Sequence, residues 1–238
     1  SCMAVPAATR IRHVNAAAIA VARPTRPTAW TLDRPIRPVL WHRTVLSEQL
    51  SHHEWLRVHQ KAAAELDYRI RQILPEYWEA SPPFDEWDIY DLVAHCVIEN
   101  MRASLILEGA PFEEVMSINA EVIAEDPEMA WELSWRNAVA AFAEADLDAR
   151  VQLGQQSIPA IEFLQIRTSD LAVHAWDLAI GLGVDERIDE EVVSATLGWA
   201  RARRDQMARM PELFDPPIQT APQADPQTEL LEIFGREV

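Results

Sequence analysis

Residues 157 to 183 read as one long helix that is apolar on nearly every side, and this stretch restricts the possible folds more than any other. Leu164, Leu171, Ala172, Val173, Leu178 and Ala179 take up most of its circumference, with Pro159 in the first turn and the Gly181 to Gly183 region at its end. A surface helix hides one stripe, whereas a helix apolar on several flanks needs a neighbour on each of them. The rest of the chain supplies helices to surround it.

From residue 47 apolar residues recur at three and four: Leu56, Ala63, Leu66, Ile70, Ile73 and Leu74, until Pro75 stops the run. After a loop at 81–86, a second helix begins near Trp87 and Asp88, where Asp88 can cap free backbone N–H groups, and ends by Gly109. Its inner face carries Ile89, Leu92, Val93, Cys96 and Val97. A third helix is expected from Met129 to Ala145, with Ala130, Leu133, Val139, Ala140 and Phe142 as its apolar content. A further helix is expected from Asp189 to Met210, started by three acidic residues at the positive end of its dipole, and a short amphipathic one from Thr228 to Phe234. Alternation of polar and apolar residues is confined to 150–154, too short for a sheet of its own. The expected fold is all-α: an antiparallel four-helix bundle spanning 47–238, with an extra C-terminal helix and a short tail.

Residues 1–46 are different in kind. They hold seven arginines against one aspartate, are rich in Ala, Pro and Thr, and lack a helical period, so they are expected to form a disordered extension. The formal net charge of −17 argues against a nucleic-acid partner, which would require clustered Lys and Arg. No apolar run reaches the roughly 18 to 20 residues of a spanning helix, so no membrane association is expected. The two cysteines, Cys2 and Cys96, write no disulfide framework, consistent with a cytoplasmic protein.

Chemistry is concentrated in the long apolar helix. Asp170 and His174 lie four residues apart, offset by about 40° and about 6 Å of rise, so that they share a face and can grip one ion. His95 sits in a second apolar segment of similar character, and two helices packed side by side would bring the three together. Two imidazoles and a carboxylate suit Zn²⁺ first, with Ni²⁺ or Fe²⁺ as alternatives, and three protein ligands leave a coordination position open. Arg167 and Asp177 continue the polar stripe. Asp177 is placed to orient a ligand or a water, and Arg167 to hold an anionic substrate. Glu99, one turn beyond His95, is either a supporting group or an exposed one. Cys96 reads as a buried, inert thiol, Trp87 and Trp176 as packing residues, and His52, His53 and His59 as surface residues of the first helix.

The segments from Glu86 to His95, from Asp170 to Ala179 and from Pro226 to Arg236 resemble an actinobacterial metal-binding family. That family is related to the metal-binding domain of mycothiol-dependent maleylpyruvate isomerase, within the DinB/YfiT-like superfamily. The resemblance covers about residues 50 to 237. It implies a metal site in which the first histidine ligand falls on His95 and the helix-borne Glu-x-x-x-His pair falls on Asp170 and His174, with Asp, one methylene shorter, where the isomerase has Glu. The isomerase has a larger C-terminal domain that the short tail here does not match, so the resemblance carries the fold and the metal site further than the reaction. The implied function is a mycothiol-dependent metalloenzyme of S-transferase or isomerase type, with a small-molecule thiol and an electrophilic second substrate as partners. A metal-dependent hydrolase, with Asp177 or Glu99 as base, and a noncatalytic metal-binding or interaction module are the alternatives.

Overall fold

The computed structural model describes residues 50–80, 87–123, 126–154, 156–209, 215–221 and 223–238. The expected extension at 1–46, the loop at 81–86 and the expected helix end at Met210 lie outside the described residues.

Four long helices form the body: α1 (His52–Ile70), α2 (Ile89–Leu107), α4 (Pro127–Glu144) and α5 (Ala160–Leu182), with a one-turn helix α3 (Phe112–Met116) between the second and third of them. Helix α1 packs on α5 and α4, and α2 packs on α4 and α5. The all-α expectation holds for the described residues, apart from a small hairpin. The starts of α1, α2 and α4 have local causes. Ser51 and Glu54 form a reciprocal capping box at α1, Asp88 and Asp91 form another at α2, and Asp126 caps α4 ahead of Pro127. Leu66, Leu92, Phe142, Leu164, Leu171 and Leu178 meet in a single core.

Helix α5 begins later than its sequence signals suggest. Ser157 and Pro159 lie in strand β2 (Gln156–Pro159), which pairs antiparallel with β1 (Arg150–Leu153), so the alternating stretch at 150–154 does find a partner. The first free N–H groups of α5 are taken up by backbone, Ala160 donating to the Ala149 carbonyl (2.8 Å) and Ile161 to that of Leu147 (2.9 Å). Its other end closes on Gly183, left-handed at φ 66°.

The C-terminal part is also more broken than expected. Helix α6 (Glu190–Arg201), capped by Asp189, ends before a short α7 (Arg204–Met207). Arg203 at the break reaches Glu162 of α5 (3.2 Å), and Arg204 donates to the Ile218 carbonyl (2.6 Å), tying the turn to distant segments. Helix α8 (Pro226–Ile233), capped by Asp225, packs on α6. Of the apolar content expected for α4, Phe142 is buried, together with Trp131, whereas Leu133 is 59 % exposed. Among the described residues no helix is long and apolar enough to cross a membrane.

Candidate metal centre

Helix α5 presents Arg167, Asp170, His174 and Asp177 along one stripe, and α2 brings His95 up to it. One ligand-type atom from each of His95, Asp170 and His174 lies within 4.8 Å of the others. The two imidazoles meet edge to face, with ring centroids 5.0 Å apart. His174 is buried, while His95 and Asp170 are half-buried, so the cluster sits at the border of the core. Two nitrogen donors and one oxygen donor within one ion's reach have the chemistry of a divalent-metal site with positions left over. The donor set therefore fits the group that the sequence suggests.

The surrounding residues hold these donors in place. His174 Nε2 lies 3.3 Å from Asp170 Oδ1, and its Nδ1 lies 2.9 Å from Asp177 Oδ2. Arg167 Nη1 donates to Asp170 Oδ2 at 2.6 Å, and its Nη2 donates to Asn100 Oδ1 at 3.3 Å. Asn100 in turn donates to Ser134 Oγ of α4 (3.4 Å), extending a buried polar layer beneath the cluster. Arg167 is only 4 % exposed, so it braces Asp170 from inside rather than facing solvent to receive a substrate anion.

Burial alone would push the Asp170 carboxyl up, but the His174 and Arg167 charges outweigh it and hold the group well below the usual carboxylate range. Burial likewise opposes charge on His174, yet Asp170 and Asp177 raise it to about 9. His95 goes the other way, lowered to about 4 by burial and by the neighbouring His174 charge. One imidazole of the cluster thus favours the protonated form and the other the neutral form.

Several neighbours differ from expectation. His59 is not a surface residue: it is 2 % exposed, and its Nδ1 lies 3.1 Å from Thr168 Oγ1. Because that hydroxyl donates to the Leu164 carbonyl (2.7 Å), it accepts from an Nδ1–H of His59. Glu99 is engaged by Arg102 (2.8 Å). Cys96 is buried, as expected, and burial raises its thiol well above the ordinary value. Trp87 does more than fill space, lying 5.1 Å from the His95 ring and 6.4 Å from the His174 ring by centroids. Arg236, to which sequence reasoning gave no separate role, reaches Asp177 with Nε at 3.0 Å from Oδ1 and Nη2 at 3.2 Å from Oδ2. Its place in the third of the resembling segments was the one available signal.

An uncharacterized protein of Mycobacterium tuberculosis, Rv0738 in strain H37Rv and MT0763 in strain CDC 1551 / Oshkosh, is 27% identical over 153 residues, covering 62% of this chain and 78% of the relative. The crystal structure of the mycothiol-dependent maleylpyruvate isomerase superposes with a TM-score of 0.54 at 16% identity, over 66% of this chain and 73% of that one. A histidine-to-alanine mutant of that enzyme gives a TM-score of 0.52 at 15% identity, over 63% and 70%. At these identities the likeness is one of fold. The sequence pattern described as the mycothiol maleylpyruvate isomerase N-terminal domain, however, matches residues 59–179, about half of the chain and the whole of the His95, Asp170, His174 and Asp177 constellation. On that match the chain belongs to the mycothiol maleylpyruvate isomerase N-terminal domain family.

Proposed function

We propose that His95, Asp170 and His174 hold a divalent cation, Zn²⁺ first with Ni²⁺ or Fe²⁺ as alternatives, and that the protein is a thiol-dependent metalloenzyme of S-transferase or isomerase type using mycothiol. The observation that carries this reading is the convergence of three ligand-type side chains from two helices within 4.8 Å. Membership of a family described by a mycothiol-dependent isomerase supports the thiol. When bound, a divalent cation lowers the pKa of a thiol at its open position, supplying a thiolate near neutral pH for attack on an electrophilic carbon.

The protein's own residues supply position. Asp177 fixes the ring of His174 through Nδ1, leaving Nε2 turned toward Asp170 and the shared centre. Arg167 does the same for Asp170 by occupying Oδ2 and leaving Oδ1 on the His174 side. Trp87 lies beside both imidazoles, its ring centroid 5.1 Å from that of His95 and 6.4 Å from that of His174. The hydrolase alternative draws less support: Asp177 is 0 % exposed with both oxygens engaged, and Glu99 is ion-paired, so neither is a free base.

Metal-loaded protein is expected to bind mycothiol and to turn over an electrophile only in its presence. His174→Ala should lose both properties while keeping the helical circular dichroism of the wild type. Turnover that needs no thiol would favour a hydrolase, and loaded protein that neither binds a thiol nor turns over any electrophile would favour a noncatalytic module.

A further inference from the structure

The C-terminal end of the chain closes onto the metal-binding helix through one arginine. Helix α8 ends in a two-bond turn: Gly235 N–H donates to the Glu232 carbonyl (3.1 Å) and Arg236 N–H to that of Leu231 (2.9 Å), with Gly235 left-handed at φ 78°. A side chain at Gly235 would be strained, and its Cβ would lie 2.5 Å from Asp215 Cβ. The glycine thus lets the turn press against residue 215 and aims Arg236 inward. Arg236 Nη1 donates to Asp215 Oδ2 (2.6 Å), while Nε and Nη2 grip the two oxygens of the fully buried Asp177. Asp177 is in turn the partner of His174 Nδ1 at 2.9 Å.

We infer that Arg236 is a positioning residue for the metal centre, setting the orientation of His174 through Asp177 and thereby coupling docking of the C-terminal segment to metal binding. A planar guanidinium gripping both carboxylate oxygens leaves Asp177 one orientation, and a fixed Asp177 leaves His174 one ring plane. Coupling of this kind is reciprocal: a metal held better with the segment docked must itself favour the docked segment. The inference rests on the proposed metal-binding function.

The test is Zn²⁺ affinity, measured by competition with a chromophoric chelator, in wild type, Arg236→Met, Arg236→Lys, Asp177→Asn and the Arg236→Met/Asp177→Asn double variant. Loss of an outer-shell partner of a ligating histidine typically costs about 10- to 100-fold in affinity, and that loss is expected for Arg236→Met, with part recovered in Arg236→Lys. The double variant should bind no more weakly than Asp177→Asn alone, because the arginine acts through that carboxylate. The Co²⁺-loaded proteins should show the same order in their visible bands. Unchanged affinity in Arg236→Met, or a fully additive loss in the double variant, would overturn the inference. Should Arg236→Met fail to fold, hydrogen exchange on the wild type decides: Zn²⁺ should slow exchange of the amides of 227–236, and equal exchange with and without Zn²⁺ would overturn it. A wild type that takes up no Zn²⁺ removes the metal-binding reading itself. Zn²⁺ uptake that is indifferent to Arg236 removes only the role assigned here.

Discussion

His174 has a carboxylate at each ring nitrogen, Asp170 at Nε2 and Asp177 at Nδ1, and each carboxylate has its own arginine, Arg167 and Arg236. The ligand-type side chains therefore depend on groups that no coordination list would include. The spacing of Asp170, His174 and Asp177 is visible in about two helical turns of sequence. The partners Asn100 and Arg236 lie 67 and 59 residues from the groups they hold, beyond any local pattern. His59 illustrates the same limit: a histidine amid polar neighbours on a first helix reads as exposed, and only packing of α1 on α5 buries it against Thr168. Its burial has a pH consequence. Burial, with a smaller contribution from the Arg167 charge, lowers His59 from 6.5 to about 3, so between those values the unfolded chain takes up a proton that the folded chain refuses. The stability owed to neutral His59 is complete above 6.5 and shrinks as the pH falls toward about 3. Urea midpoints of metal-free protein at pH 7 and pH 5 should fall further for wild type than for His59→Leu. Parallel falls would show that His59 titrates alike in both states.

The helices themselves were largely legible because their ends are written locally. Asp88 before Ile89 and Asp189 before Glu190 are side-chain caps that act on the next two or three residues. The start of α5 was misread for the opposite reason. Ser157 followed by Pro159 imitates a helix start, while the carbonyls that satisfy its first N–H groups belong to Leu147 and Ala149, across the hairpin. Its far end has a local cause again: Gly183 sits at φ 66° in open space, so a side chain there meets no neighbour and only backbone strain opposes it. Gly183→Ala should therefore cost about 1–2 kcal/mol of unfolding free energy without altering metal affinity. A loss of metal affinity would mean that the end of α5 moves the site three turns away.

At the scale of the whole molecule, the ligand-type residues come from α2 and α5, helices that also share the core through Leu92, Val97, Leu164 and Leu171. An ion between them would add a bond across an interface already packed, so the site is built on rigid elements and not on a loop. An ion bound to the folded chain alone would also stabilise it by mass action. The all-α architecture followed from periodicity and from an α5 apolar on nearly every side; the hairpin, the break after α6 and the inward turn at Gly235 depend on tertiary partners. Everything proposed about function passes through a single ion at His95, Asp170 and His174. The most direct test is the metal content, by elemental mass spectrometry, of protein purified without a histidine tag, alongside His95→Ala and Asp170→Ala. A metal site at these residues predicts about one divalent ion per chain in the wild type and loss of it in both variants. No metal in the wild type after reconstitution, or full metal retained in either variant, would contradict it.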